Sequence, residues 1–322
     1  MIGSQSYLRR RARWVGALAA LAVAALSSGA SVELNAHPLL GKLALARRGS
    51  IPFAPSLDFL DSLIGHSGKL RAHFVARAGN IEIPALAALF GDTAVERPGV
   101  YTLLDSAANR TFAFITMRPF TDKLHGRVGD YRMGNWPFER RAPVSSEYAN
   151  PEGFIEITPE NQDTFVSEHF RLSDFLTHDQ ENVWPKYLVL NERLIDKLEL
   201  VIEDLQDHGV RVEHLAIMSG FRTPEYNRQG VGEGGRARTS RHQYGDAADV
   251  FVDNDYDGRM DDVNHDGRVD TRDAQVIRDA VDRVEAANPE LSGGCGVYRA
   301  TSMHGPFAHV DARGSRVRWG RS

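Results

Sequence analysis

The sequence predicts an α+β fold in which a β-rich domain precedes a domain of mixed helices and strands. Short β-prone runs, separated by Gly, Pro, Asn and Asp, fill residues 69–157. Residues 158–322 combine amphipathic helical patterns with short apolar strand patterns. With 322 residues, the chain is long enough for two domains.

The composition is ordinary for a soluble globular protein and excludes several functional classes. The formal net charge of -5 gives no indication of nucleic-acid binding. Cys295 is the single cysteine, which excludes an internal disulfide and a cysteine-rich zinc site. Any metal is therefore expected to be held by histidines and carboxylates.

The N-terminus has the outline of an export signal. Four arginines between residues 9 and 13 precede an apolar run over residues 14–26, and small residues follow. We predict that residues 1–36 are a signal peptide or, alternatively, an uncleaved membrane anchor, although the apolar run is short for a span. Both alternatives place the rest of the chain in the periplasm or cell envelope.

The β-rich region is predicted from local patterns. Strands are expected at 70–76, 99–104 and 111–117, whereas residues 81–90 fit either a strand or a short helix. A short amphipathic piece precedes them at 57–64. The turn-rich segment 129–137 carries Tyr131 and Trp136, for which packing is favoured over a binding role.

The second region begins with a predicted helix within residues 168–177. Residues 191–208 have apolar side chains at helical spacing, and Gly209 is a plausible end for that helix. Residues 215–218 form a short buried strand, and the Gly- and Arg-rich residues 228–239 form a mobile loop.

Three residues in this region suit a metal ion. His242 and Asp249 lie in a polar loop that enters an apolar strand, and their nitrogen and oxygen atoms suit Zn²⁺. Residues 307–311 alternate as a strand does, so His309 and Asp311 lie on one face. We predict a zinc site of His242, Asp249 and His309 with a fourth position open, with His304 in reserve. The alternative is that His309 is a hydrogen-bonded strand histidine.

These residues carry a family resemblance. Residues 219–222, 240–249 and 307–311 resemble the three signature blocks of the zinc D-alanyl-D-alanine carboxypeptidases, which are related to the L-alanyl-D-glutamate endolysins and the hedgehog domain. The resemblance extends more loosely over residues 154–319. It implies an antiparallel sheet with helices on one side, and His242, Asp249 and His309 match the family's zinc ligands. It also implies cleavage of peptide bonds in the stem peptides or cross-links of peptidoglycan.

The resemblance also implies roles for neighbouring residues. Arg222 matches an arginine that orients substrate or stabilises the transition state, although a surface salt bridge is the alternative. Ser240 is expected to lie next to the zinc ligands and to help bind the substrate. Many relatives carry an acidic residue where this chain has Pro306, which cannot act as a base. Asp311 is therefore a candidate for general base or for orienting a zinc ligand.

The C-terminal block resembles a murein endopeptidase branch. In that branch His-x-Asp is followed by an Arg and a Trp, which are Arg318 and Trp319 here.

Two acidic loops follow the second zinc ligand within residues 253–273. Oxygen ligands at alternate positions, with Gly at the sixth, are typical of EF-hand and dockerin Ca²⁺ loops. The predicted calcium ligands are Asp253, Asp255, Asp257, Asp261, Asp262, Asn264, Asp266, Arg268 (through its carbonyl), Asp270 and Asp273. The first loop is the weaker because its twelfth position is Asn264, which the second loop also uses. A solvated acidic loop is the alternative. A helix is predicted at 271–287.

Together these features predict an exported, zinc-dependent D,D-peptidase with calcium, acting on peptidoglycan peptides. The alternatives are a catalytically inactive envelope-binding protein that retains the fold, and a calcium-dependent interaction module. The oligomeric state is not predicted.

Overall fold

A computed structural model describes residues 71–76, 97–105, 110–232 and 235–320. It confirms a mixed α+β fold with antiparallel sheets and few helices. The predicted export segment, the amphipathic piece at 57–64 and residues 81–90 lie outside the described residues. Within the described part of the chain, no helix is both long and apolar enough to cross a membrane. The chain divides into two compact units, Met1–Arg118 with Thr164–Glu168, and Pro119–Asp163 with His169–Ser322.

Among its described residues, the first unit contains three strands that confirm the three β predictions. They are β1 (His73–Ala76), β2 (Gly99–Asp105) and β3 (Arg110–Pro119). β1 pairs with β3 in parallel, whereas β2 pairs with β3 antiparallel. The amide of Ala72 donates to the carbonyl of Val166 at 2.6 Å, so the returning segment at 164–168 is bonded to the start of β1.

The second unit begins with irregular structure and two antiparallel strand pairs. It contains 3₁₀ turns at Phe120–Asp122 and Ser146–Tyr148, the antiparallel pair β4 (Arg127–Val128) and β5 (Tyr131–Arg132), and the antiparallel pair β6 (Gly153–Ile157) and β7 (Lys186–Leu188). Tyr131 and Trp136 are both buried, so they pack in the interior rather than face a ligand. The boundary between 157 and 158 that the sequence predicts lies inside this unit.

A five-stranded sheet forms the rest of the second unit. Its strands are β8 (Leu215–Ser219), β9 (Ala247–Val252), β10 (Gly294–Tyr298), β11 (Phe307–Asp311) and β12 (Val317–Trp319). Their order is β12-β10-β11-β9-β8, and every pair is antiparallel except β10 with β12.

The helices of this unit are α1 (Glu192–Asp207), the short α2 (Pro224–Gln229) and α3 (Thr271–Ala287). The Asn191 side chain caps α1 by accepting from the Arg193 amide, and Gly209 ends it with φ of 82°. α1 and α3 pack on each other, and α3 packs against β10 and β11. The long helices and the strands carrying the predicted ligands are thus confirmed.

The segment 168–177 differs from its helical prediction. Only Leu172–Phe175 forms a 3₁₀ helix, and its apolar side chains are buried. The Phe175 carbonyl accepts a hydrogen bond from the Phe221 amide at 2.9 Å, and Gly220 packs against the Phe175 backbone. Because this carbonyl pairs with a distant strand end, it cannot continue a helical ladder.

A buried ion pair joins the helices to β11. The Lys197 ammonium on α1 lies 2.7 Å from the Glu285 carboxylate on α3, and both side chains are almost fully buried. Lys197 also donates to the backbone carbonyl of Asp311 at 2.6 Å. Arg318 pairs with the other Glu285 oxygen at 2.6 Å, so Glu285 is fully compensated.

Candidate metal centre

The candidate site lies on one cross-strand row of the five-stranded sheet. His309 on β11 is directly opposite Asp249 on β9 and Gly296 on β10. The row continues to Ser219 on β8 and Trp319 on β12. Because side chains directly opposite each other on neighbouring strands share a face, Asp249 and His309 meet without any intervening loop.

Three ligand atoms converge there. His309 Nδ1 is 2.9 Å from Asp249 Oδ1 and 3.1 Å from His242 Nε2, which is itself 3.3 Å from Asp249 Oδ1. All three residues are buried. Ligand atoms at about 2.0–2.1 Å from a tetrahedral zinc would be separated by about 3.3 Å, so the spacing fits such an ion.

Each imidazole forms a hydrogen bond through the nitrogen that faces away from the cluster, which directs the lone pair of its other nitrogen towards the centre. His242 Nδ1 lies 2.7 Å from the Gly220 carbonyl, and His309 Nε2 lies 3.2 Å from Asp311 Oδ2. Both partners only accept, so these two nitrogens carry the hydrogens. In the neutral imidazoles the facing nitrogens are then unprotonated and point at the Asp249 oxygen. The centre therefore needs a cation, either a proton on His309 Nδ1 or a metal ion.

The charges of the cluster agree with this requirement. Burial lowers the pKa of His242, which keeps this imidazole neutral. Although burial opposes it, hydrogen bonds to Asp249 and Asp311 raise the pKa of His309 to about 9. Burial likewise opposes the ionisation of Asp249, yet the hydrogen bond and charge of the protonated His309 hold the pKa of this carboxyl well below its usual range. In the absence of metal, a proton on His309 thus occupies the place of the ion.

Asp311 supports His309 from behind. Its side chain is fully buried, and Oδ1 accepts from the Gly294 amide at 2.7 Å. Arg313 donates from Nε to both carboxylate oxygens, at 2.9 and 3.0 Å. Although burial raises the pKa of Asp311, hydrogen bonds from His309 and Arg313 lower it below its usual range. This carboxylate is therefore ionised, enclosed and turned away from the converging ligand atoms.

Arg222 lies beside the cluster rather than at the surface. Its Nη2 donates to Asp249 Oδ2 at 2.5 Å, and its Nε donates to the Ser219 hydroxyl at 2.8 Å. The side chain is 14% exposed. Ser240 is the residue before the 3₁₀ helix Arg241–Tyr244 and makes no side-chain capping hydrogen bond.

The short helix that carries His242 is held by hydrogen bonds to its two central residues. The Trp136 indole donates to the Gln243 carbonyl at 2.8 Å, and the Arg222 amide donates to the His242 carbonyl at 3.1 Å. Gly245 ends the helix with φ of 68°, and a Cβ there would lie 2.2 Å from the Val189 carbonyl oxygen. Only glycine combines this conformation with this close approach.

Three other residues named from the sequence are not part of the cluster. The His304 ring contacts Phe307 and its Nδ1 faces the Gly305 carbonyl, so the structure does not bring it into the cluster. Pro306 is buried at the start of β11. Arg318 binds Asp282 and Glu285.

The two acidic loops adopt one backbone conformation, nine residues apart. Tyr256 and His265 have φ of 60° and 59°, and the following glycines, Gly258 and Gly267, have φ of 78° and 80°. In each loop the first Asp accepts from the amides of its fifth and sixth residues. Asp253, Asp255 and Asp261 of the first loop offer carboxylate oxygens within 4.8 Å of one another.

The second loop differs in how its later carboxylates are used. Asp273 accepts from the amides of Val263, Asn264 and Asp270, and Asp270 caps α3 and pairs with Arg272. The loop therefore continues into α3 through a capping box.

The sequence did not identify Tyr298 or Arg313 as residues of the site, and it did not predict where Trp319 lies relative to the cluster. The Trp319 ring lies 5.2 Å from the His309 ring, and its Nε1 donates to the Tyr298 hydroxyl at 2.7 Å. Gly296 and Tyr298 are two residues apart on β10, so both lie on the face that carries His309. This relation can be recognised only when the register of β10 on β11 is known.

Comparison with known proteins gives one match. Residues 169–272, about a third of the chain, match the sequence profile of the Peptidase M15 family. The matched segment contains His242 and Asp249, ends before His309, and supports a peptidase of this zinc-dependent family. Neither the curated proteins nor the solved structures compared with the chain gave a significant match.

Proposed function

We propose that this protein is an exported zinc D,D-peptidase that hydrolyses the stem peptides or cross-links of peptidoglycan. The observation that carries the proposal is the buried convergence of His242, Asp249 and His309, whose facing atoms lie 2.9–3.3 Å apart, the spacing of ligands around a tetrahedral zinc ion. The M15 match over two of these ligands supports peptide-bond hydrolysis as the chemistry.

A bound zinc ion would polarise the peptide carbonyl and make water a better nucleophile. The protein's own residues hold the ligands in place for this. Asp311 fixes the tautomer and orientation of His309, and the Gly220 carbonyl does the same for His242. We assign Asp311 this orienting role because its enclosed carboxylate faces away from the ligand atoms.

Arg222 has a double role in the proposal. Two of its nitrogens orient Asp249 and Ser219, whereas Nη1 has no hydrogen-bond partner among the described residues. This partly exposed nitrogen is placed to bind a substrate carboxylate, such as the end of a D-alanyl peptide. Ser240, which precedes the His242 helix, would contact the peptide from the neighbouring side.

The export assignment rests on residues 1–36. Their arginines, apolar run and small residues provide a signal or an anchor that leads to the envelope, where peptidoglycan lies. Fractionation of cells that produce the full chain, with N-terminal sequencing, tests this; recovery of unprocessed protein in the cytoplasm would overturn it.

The calcium assignment rests on the repeated loop. The spacing of oxygen ligands and the two matched glycines favour Ca²⁺ in the first and second loops, next to the strand that carries Asp249. Calorimetric titration of Ca²⁺ into wild type, Asp262→Asn and the control Asp204→Asn tests it. We expect binding that Asp262→Asn weakens and Asp204→Asn retains; no heat in wild type would refute the calcium site.

The decisive experiment compares wild type with His242→Ala and with His208→Ala, whose histidine is exposed at the end of α1. We expect one zinc per wild-type chain by elemental analysis, and release of muropeptides from purified sacculi. His242→Ala should lose both, and His208→Ala should keep both. If zinc-loaded wild type releases nothing, the peptidase proposal fails, and the inactive envelope-binding protein that retains the fold becomes the hypothesis to test. Mass analysis of the products identifies the bond.

A further inference from the structure

Tyr298 lies on the same face of the sheet as the metal cluster. It is two residues along β10 from Gly296, which is directly opposite His309. Residues two apart on a strand share a face, so the Tyr298 ring lies one step along the sheet from the His309 row. It stacks on Phe307 with ring centroids 4.7 Å apart and an interplanar angle of 4°, so the position of the ring is fixed.

The hydroxyl of Tyr298 is set up as a hydrogen-bond donor. The Trp319 indole nitrogen, which can only donate, lies 2.7 Å from the Tyr298 oxygen. The oxygen therefore accepts from Trp319, and the phenolic hydrogen has to point elsewhere. Among the described residues no acceptor takes it, and the side chain is 39% exposed. The hydrogen is thus directed at solvent or at a bound ligand.

The surroundings of the hydroxyl keep it protonated. Burial raises the pKa of Tyr298 above its usual value, and the hydrogen bond from Trp319 lowers it only in part. The charge of Asp249 raises this pKa further, and that of Arg222 lowers it. At neutral pH Tyr298 is consequently a neutral donor on the face of the sheet that carries His309.

The order of the strands puts Tyr298 and Arg222 on opposite sides of the cluster. Arg222 follows β8, the ligands lie on β9, β11 and the helix before β9, and Tyr298 lies on β10. A peptide that reaches the cluster therefore passes between a guanidinium on one side and a phenol on the other. Arg222 suits a carboxylate, whereas a neutral phenol suits the weaker charge of a carbonyl oxygen.

We propose that Tyr298 is a catalytic residue whose hydroxyl donates a hydrogen bond to the oxygen of the peptide carbonyl under attack. This inference rests on the proposed peptidase function. During hydrolysis the water oxygen bonds to the carbonyl carbon, the C–N bond breaks, and the amine leaves with a proton from water. Tyr298 keeps its own proton, and its hydrogen bond strengthens as negative charge grows on the carbonyl oxygen.

The test is Tyr298→Phe in the full, zinc-loaded chain, with Tyr226→Phe on α2 as the matched control. The phenylalanine keeps the stack on Phe307 and removes only the hydroxyl. We expect kcat for a soluble cross-linked muropeptide to fall about 10²- to 10³-fold, with KM within about 3-fold, because one donor to the developing oxyanion is lost. Tyr226→Phe should match wild type.

A second measurement distinguishes hydrogen-bond donation by Tyr298 from a purely structural role of this side chain. A phosphinic analogue, whose tetrahedral group mimics the attacked carbon, should bind Tyr298→Phe about 10²-fold more weakly by calorimetry, while zinc content stays at one per chain. Wild-type activity together with full kcat in Tyr298→Phe would overturn the inference alone, as would loss of zinc from the variant. An inactive zinc-loaded wild type would instead refute the peptidase function on which the inference depends.

Discussion

The substitution Asp311→Asn distinguishes an orienting carboxylate from a catalytic base. Asp311 accepts from His309 Nε2 at 3.2 Å, from the Gly294 amide at 2.7 Å and from Arg313. Asparagine has the same shape and can keep the bond from the Gly294 amide. It removes the negative charge that faces the His309 N–H. The fold is therefore expected to survive while the support of His309 weakens.

The expected loss of zinc affinity follows from the role of Asp311 as the hydrogen-bond partner of a metal-binding histidine. Loss of the hydrogen-bond partner of a metal-binding histidine typically weakens metal affinity 10- to 100-fold. At 1.36 kcal/mol per factor of ten, this is about 1.4–2.7 kcal/mol of binding free energy. A catalytic base, by contrast, would leave zinc affinity unchanged and reduce only the rate of hydrolysis.

The pH dependence sharpens the prediction. In metal-free wild type the pKa of His309 is raised to about 9, so below that pH a proton competes with zinc for Nδ1. Zinc affinity should rise with pH and level off above about 9. Loss of the Asp311 charge lowers the pKa of His309, so affinity in Asp311→Asn levels off at a lower pH. The deficit of the variant is therefore greatest near pH 9 and smaller near pH 7.

The assay is competition for zinc with a chromophoric chelator at pH 7, 8 and 9, for wild type, Asp311→Asn and the control Asp204→Asn. The control removes one carboxylate charge that pairs with Arg283 away from the site. Equal zinc affinity at pH 9 in wild type and Asp311→Asn, combined with lost hydrolysis, would refute the orienting role and restore Asp311 as the base.

Three further predictions concern stability and reactivity. Lys197→Met removes the ammonium from Glu285 Oε1 and a donor to β11 but leaves Arg318 on Oε2, so unfolding by urea should show a loss of about 1–3 kcal/mol; no measurable loss would contradict the ion pair. Gly245→Ala should cost about 1–3 kcal/mol more than Gly209→Ala, because both have positive φ but only the first would meet the Val189 carbonyl; equal melting temperatures would argue against this. Burial raises the pKa of Cys295 to about 12, so at pH 8 the native thiol should resist a disulfide reagent that modifies it fully in guanidinium; rapid native reaction would show the site to be open.

Much of the second unit was determined by local sequence. The apolar spacing of residues 191–208 predicted α1, and the second acidic loop predicted a helix at 271–287, which is α3. The alternation over residues 307–311 placed His309 and Asp311 on one face before the register was known. The types and spacing of His242, Asp249 and His309 were sufficient to propose a common metal.

Only the tertiary structure decided how these elements serve the site. Residues 168–177 were expected to form a helix but contain only one 3₁₀ turn, because the Phe175 carbonyl accepts a hydrogen bond from Phe221, which is distant in sequence. The same long-range pairing put Trp319 and Tyr298 beside His309 and enclosed Asp311 with Arg313. Residue patterns record which face of an element is buried, whereas strand order and register depend on contacts across the chain. For this reason the cluster residues, Asp311 and Arg222 could be proposed from the sequence, whereas Arg313, Tyr298 and the position of Trp319 could not.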